Sequence, residues 1–337
     1  MSAAPLLDVR NLRLSVRTDE GVAQILDHVQ LTLAPGRIVG VVGESGCGKS
    51  TLVKAILGIL PKTAKVESGE ILFEGEDLLR LDERELSRRI RGSRIGFIPQ
   101  DPYLALNPVF TIGDQLLSVM RRHAPVPEGG PREGRALMRV HRARLVELLR
   151  RTQIPEPDAV LERYAHQFSG GQRQRLMIAG ALACSPRLVI ADEPTTALDV
   201  TTQLQILNLL KSLASEFAVS MLFVTHDFGV VAQLCDDITV MYAGQTVESG
   251  RTRSVLADPQ HPYTRALLAC HPDRAKALVG IPGLVPSPLL PPPGCRFAPR
   301  CSEANEDCRS RIPRFVESGD EHAVNCRLAQ TAREAAA

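Results

Sequence analysis

The 337-residue sequence predicts an α/β fold, and three observations carry that prediction. Short apolar runs that read as strands alternate with helical patterns, which argues for a mostly parallel sheet. One such run, Ile38–Val42, leads into a glycine-rich loop and then a helix. A helix-rich, arginine-rich stretch at residues 101–168 interrupts the alternation and reads as an inserted helical subdomain.

Taken in order, Leu6–Val16 alternates weakly and is expected as the first strand. Ile71–Phe73, Ile95–Ile98, Leu188–Ala191, Met221–Val224 and Ile238–Tyr242 are expected as further short strands. Helices are expected over Lys49–Leu60, Arg173–Ala183, Thr202–Ser215 and Phe228–Leu234, with a loop at Ala124–Gly134 inside the subdomain. Residues 281–294 are too rich in proline and glycine for helix or central strand and read as an extended connector to a cysteine-bearing tail.

Composition narrows the function classes. Hydrophobic residues make up 44% and charged residues 23%, ordinary for a globular protein. A net charge of +2 and 4% aromatics without tryptophan argue against nucleic acid as a partner. No run approaches the length of a spanning helix, and Met1–Asn11 lacks the pattern of a secretory signal, so a cytosolic chain that meets membranes through partners is expected.

Gly43-Glu44-Ser45-Gly46-Cys47-Gly48-Lys49-Ser50-Thr51 fits G-x-x-x-x-G-K-[ST] between a strand and a helix. Glycines let backbone N–H groups close around phosphate oxygens, and the helix start adds its positive dipole end. Lys49 is expected on the β- and γ-phosphates and the Ser50 hydroxyl on Mg²⁺. A second acidic signal follows at Leu188–Glu193, an apolar strand ending in two carboxylates. Asp192 is placed to hold Mg²⁺ and Glu193 to orient the attacking water, at the strand end where ligands gather in parallel sheets. Phe168-Ser169-Gly170-Gly171-Gln172 opens a helix with Ser169 as a good N-cap; alone it is an ordinary capped helix start.

The order of phosphate loop, Gln100, FSGGQ, LVIADEP, Ala197-Leu198-Asp199 and His226 resembles the nucleotide-binding domain of ABC transporters, from about residue 6 to 270. The resemblance implies a P-loop NTPase core of ABC type with an inserted helical subdomain at about 101–170. It implies that Gln100 touches Mg²⁺ or water and relays to a membrane subunit. Ser169, Gly170, Gly171 and Gln172 would contact the γ-phosphate held by a second ATPase subunit. Asp199 would belong to the turn coupling the two sites, and His226 would be the switch histidine near the γ-phosphate. One position departs from the family: Val16 stands where an aromatic usually stacks on adenine. Cys47, where serine is commoner, is a mild change because backbone donors dominate the cradle.

The last tenth of the chain holds Cys295, Cys301, Cys308 and Cys326, separated by 6, 7 and 18 positions. Four thiolates suit zinc or an iron–sulfur cluster, and spacing alone does not choose. The sequence HPYTRALL at His261–Leu268, the connector and Gly294–Cys301 are similar to the C-terminal extension of dipeptide/oligopeptide transporter ATPases, as is Asp101-Pro102…Leu106-Asn107-Pro108. That resemblance implies a [4Fe-4S] cluster on the four cysteines, in a small extension spanning 271–337 after a cassette spanning 1–270. It further implies ATP-driven import of di- or oligopeptides, with nickel complexes or glutathione as other solutes of related importers. The implied partners are a second ATPase (identical or paralogous), two integral membrane permease subunits and, indirectly, an extracytoplasmic solute-binding protein. The implied location is the cytoplasmic face of the inner membrane. A soluble ABC ATPase of DNA repair or translation would usually carry coiled-coil insertions or two cassettes, and neither is present.

Overall fold

The computed structural model describes residues 4–126, 129–196, 198–270, 280–317 and 322–334. Its strands are β1 (Leu7–Thr18), β2 (Gly21–Leu33), β3 (Ile38–Val42), β4 (Ala64–Phe73), β5 (Glu76–Asp77) and β6 (Ile95–Ile98). They continue with β7 (Leu188–Asp192), β8 (Ser220–Thr225), β9 (Asp237–Tyr242), β10 (Gln245–Arg251), β11 (Val316–Glu317) and β12 (Ala323–Val324). The chain divides into two compact units. One joins the chain up to Arg80 with the chain from Thr225 onward; the other spans Leu81–Val224.

The first unit contains an antiparallel sheet in the order β2-β1-β4-β5 and a row of strands in the order β11-β12-β10-β9-β3. In β1 the residues Leu7, Val9, Leu12 and Leu14 are buried. Their spacing is not strictly alternate because the pairing register shifts between Val9 and Leu12 and again between Leu12 and Leu14. Each shift lets one face keep its apolar residues inward, as bulges do. All five residues of β3 are buried, the continuous apolar run expected of a strand covered on both faces. It pairs in parallel with β9, Val39 opposite Asp237. Helix Lys49–Leu57 follows the glycine-rich loop and stops at Gly58, whose left-handed backbone (φ 64) and N–H to the Ala55 and Lys54 carbonyls end it.

In the second unit β6, β7 and β8 run parallel, with Ile95 opposite Leu188 and Leu188 opposite Ser220. A Cβ on Gly96 would meet the Ala181 carbonyl oxygen at 2.4 Å, so only glycine lets β6 lie this close to helix Gly170–Leu182. The helix-rich stretch contains helices Pro102–Ala105, Ile112–His123, Gly134–Arg151 and Pro157–Val160. Thr111 caps the second of these by accepting from the Asp114 N–H at 3.1 Å.

Several expectations are adjusted. Strand β4 begins at Ala64 rather than Ile71, and helix Val200–Glu216 is longer at both ends than the Thr202–Ser215 pattern. The first helix ends at Leu57 rather than Leu60 because Gly58 stops it. The helix after Ser169 starts at Gly170, three residues before the Arg173 start read from its pattern. Strands β2 and β10 have no counterpart in the sequence reading. Among the described residues no helix is long and apolar enough to cross a membrane.

Candidate functional site

The glycine-rich loop is shaped by close approaches that exclude side chains. A Cβ on Gly43 would meet the Met241 carbonyl oxygen at 2.1 Å, and one on Gly48 would meet the Leu26 Cδ2 at 2.8 Å. Gly46 and Gly48 sit at φ +80 and +102, backbone that side chains rarely adopt. Gly48 is the N-cap of helix Lys49–Leu57, and no side chain caps that helix. Lys49 is buried, and its Nζ donates to the Gly43 carbonyl at 2.8 Å and the Glu44 carbonyl at 3.2 Å. The ammonium thus lies against the loop's own backbone. Ser45 and Gly46 are exposed, while Ser50 and Thr51 are half-buried on the first helical turn. Cys47 is buried, and burial pushes its thiol up, so it behaves as a small neutral packing group. Val16, on β1 opposite Ala23 and Ala64, is half-buried.

In the second unit, β7 delivers Asp192 with 8% exposure, and the next residue, Glu193, has φ +44, a strained setting for a residue with a Cβ. The Glu193 N–H donates to the Val224 carbonyl at 2.9 Å, which fixes the turn. The Glu193 Oε2 accepts from the Gln100 amide at 3.2 Å and from the Thr196 hydroxyl at 3.2 Å. Gln100 and Glu193, 93 positions apart, are brought together, a contact the sequence reading did not state. The donors expected for Mg²⁺ at Ser50, Gln100 and Asp192 are all oxygens, the chemistry that ion takes.

Helix Gly170–Leu182 begins differently from the helix after the phosphate loop. Ser169 accepts from the Gln172 N–H at 3.3 Å, and the Gln172 side chain accepts from the Ser169 N–H at 3.1 Å, a reciprocal capping box. A Cβ on Gly171 would meet the Thr202 Cγ2 at 2.8 Å. Gly170 packs beside the Tyr103 hydroxyl, over whose ring Arg173 stacks at 4.2 Å. Asp199 caps helix Val200–Glu216. Its carboxylate accepts from the Thr202 N–H (2.9 Å) and hydroxyl (2.7 Å), and these bonds hold its pKa below the usual aspartate value. Ala197 lies outside the described residues. His226, immediately after β8, is exposed.

The four tail cysteines line one small pocket with Pro262, Phe297 and Ala298. Burial raises the thiols of Cys301 and Cys326 and pushes Cys295 up to about 11, so they are protonated unless something positive displaces the protons. Among the described residues no group of three or more histidine, cysteine or carboxylate side chains is placed to hold a metal ion. The donors therefore suit a thiophilic group chemically, in a pocket that is not arranged around a single ion.

Two residues that lie in segments quoted for the resemblance, but were given no role there, also meet the phosphate loop. Arg300 makes a forked ion pair to Glu44, and the Tyr263 hydroxyl accepts from the Glu44 N–H at 2.9 Å. No short-range pattern signals either contact.

A family model described as ABC transporter matches residues 26–196, half of the chain. The chain belongs to the ABC transporter family. As an ABC ATPase it is an ATP-binding, ATP-hydrolysing subunit of a transporter, and membership brings ATP with Mg²⁺, a second ATPase domain and membrane permeases as the general ligands and partners. A second model, for the oligopeptide/dipeptide transporter C-terminal region, matches residues 247–308. The "Probable peptide ABC transporter ATP-binding protein y4tR" of Sinorhizobium fredii is 45% identical, covering 95% of this chain and 94% of its own. The dipeptide transport ATP-binding protein DppD of Bacillus subtilis is 44% identical, covering 96% and 94%. Among solved structures, the post-hydrolysis dimer of the ATP-binding cassette MJ0796 bound to ADP and Pi has a TM-score of 0.62 and 28% identity. It covers 73% of this ABC ATPase and 99% of that chain.

Proposed function

We propose that this ABC ATPase energises import of di- or oligopeptides, seated on the cytoplasmic face of the inner membrane through two permease subunits. The observation that carries the reading is the junction of the cassette with the oligopeptide/dipeptide C-terminal region at residues 247–308. Relatives named for peptide and dipeptide transport, aligned over nearly the whole chain, support it. Residues 1–270 act as the cassette, with the helical subdomain at about 101–170, and 271–337 as the extension.

The roles follow from chemistry at each residue. The loop Gly43–Thr51 grips the triphosphate with backbone donors, and Lys49 neutralises its β- and γ-oxygens. Magnesium held by Ser50, Gln100 and Asp192 supplies charge neutralisation on the same oxygens. Glu193, steadied by Gln100 and Thr196, accepts from the attacking water, and His226 stabilises charge on the γ-phosphate. Val16 offers apolar contact to the base where stacking is usual. Ser169, Gly170, Gly171 and Gln172 act on the ATP of the second subunit, where the Ser169 hydroxyl, an acceptor in its own cap, still has a proton to donate. Asp199 couples the two sites. Because the γ-phosphate favours the closed pair and its loss the open one, nucleotide state drives the permeases.

In the tail, Cys295, Cys301, Cys308 and Cys326 hold a [4Fe-4S] cluster, a reading supported by their sharing one pocket. Such a cluster supplies a cross-link to a tail with little core of its own. Iron content and visible absorption of anaerobically purified protein test it, and a colourless, zinc-loaded sample would overturn it. For the engine itself, Glu193→Gln is expected to keep ATP binding and lose turnover by about a thousandfold, the scale on which positioned catalytic groups act. Turnover near the wild-type rate would remove Glu193 from its role.

A further inference from the structure

We propose that Arg300 is a positioning residue of the nucleotide site, through which the C-terminal extension holds the phosphate loop in its binding shape. Arg300 lies in the tail next to Cys301, yet its side chain is only 3% exposed because it is buried against the loop. Its Nη1 and Nη2 donate to the two carboxylate oxygens of Glu44 at 2.8 and 3.1 Å, a bidentate fork. The same guanidinium is fixed by the Ile281 and Pro282 carbonyls, each at 3.0 Å, and by the Tyr242 hydroxyl at 3.3 Å. A residue held on this many sides is a rigid support.

Glu44 is the second residue of the phosphate loop and is held on three sides. Arg300 takes its carboxylate, the buried Tyr263 accepts from its N–H, and Lys49 donates to its carbonyl at 3.2 Å. Moving Glu44 therefore moves a backbone contact of Lys49. A second tail arginine repeats the pattern. Arg296, beside Cys295, is 5% exposed in its side chain, pairs with Asp27 at 3.0 Å and donates to the Ala243 carbonyl. The next residue, Gly244, donates its N–H to the Cys47 carbonyl of the loop at 2.9 Å. The connector lies alongside as well, with the Gln24 N–H donating to the Pro288 carbonyl at 2.8 Å.

Charge gives the pair a second consequence. A carboxylate within a loop built for a polyanion opposes the ligand unless it is neutralised. Arg300 both places Glu44 and cancels its charge. Removing the arginine alone leaves a partly buried, uncompensated negative charge in the cradle; removing both charges does not. A contact that served folding alone would show no such rescue in nucleotide affinity.

The proposal rests on nucleotide binding at this loop, so the experiment measures MgATP and MgADP affinity by titration calorimetry in full-length wild type, Lys49→Ala, Arg300→Met, Arg300→Lys and the double variant Glu44→Gln/Arg300→Met. Thermal unfolding of each is recorded in parallel. Lys49→Ala should abolish most binding, and if it does not, the site reading falls and this proposal with it. With that control in place, Arg300→Met should weaken ATP binding by about tenfold, as expected when one partner of a largely buried pair is removed. The double variant should recover only part of that loss, the share owed to the stray charge, and stay weaker than wild type because the fork is still missing. Arg300→Lys, which keeps the charge without the fork and guards against a misfolded methionine variant, should bind between wild type and Arg300→Met. Wild-type affinity in Arg300→Met, or a double variant restored to wild-type affinity without the fork, would overturn the proposal.

Discussion

Two helices in this ATPase begin on glycine-containing turns, and they are finished in opposite ways. Helix Lys49–Leu57 starts at Gly48 with no side-chain cap, and the loop before it is held in shape by steric exclusion. Helix Gly170–Leu182 starts at Ser169 with its cap closed by the reciprocal bonds of Ser169 and Gln172. The first is a seat shaped before its ligand arrives. The second has Ser169 and Gln172 paired with each other, with the Ser169 oxygen as acceptor, which leaves the hydroxyl able to donate. Under the proposed roles, a loop that binds its own ATP benefits from being shaped in advance, and a turn that acts on another subunit's ATP benefits from being satisfied while alone, because an uncapped helix start costs stability.

The largest effect that would break this comparison comes from Gly48. Gly48→Ala forces a Cβ to 2.8 Å from Leu26 at φ +102, so a stability loss of about 1–3 kcal/mol and a loss of ATP affinity of at least tenfold are expected. Gly46→Ala shares the positive φ but meets nothing within 4 Å, and should cost less in both respects. Equal effects from the two variants in chemical denaturation and ATP titration would show that close packing does not shape the loop. A smaller effect is expected at the second helix. Ser169→Ala removes one capping bond and should lower unfolding free energy by about 1 kcal/mol. No measurable change would mean that the capping box contributes little in solution.

The phosphate loop, β6 and helix Phe228–Leu234 were legible because local pattern decides them: a glycine spacing, an apolar run, a 3.6-residue period. The two-residue strands β5, β11 and β12 were not, and neither were two longer ones. In β2 a left-handed backbone at His28 and register shifts against β1 scramble the alternation that marks a strand. In β10 the polar residues Gln245, Thr246 and Glu248 are buried, so the run does not look apolar. Its Glu248 is paid for by distant donors, the Gln260 and His261 N–H groups and the His322 ring. The site divides along the same line. Lys49, Asp192, Glu193 and Ser169 sit in motifs, as does Gln100, whose contact with Glu193 only the fold shows. The Arg300–Glu44 fork joins residues 256 positions apart and leaves no trace in local sequence.

The most direct test is titration of MgATP into the isolated chain carrying either Lys49→Ala or Ser169→Ala. The preformed seat predicts that Lys49→Ala weakens binding by about a hundredfold or more, since it removes a charge-assisted phosphate contact. Ser169→Ala should bind within about twofold of wild type if, as proposed, its turn serves the nucleotide of a second subunit. Comparable losses in the two variants, or undiminished binding in Lys49→Ala, would contradict the account.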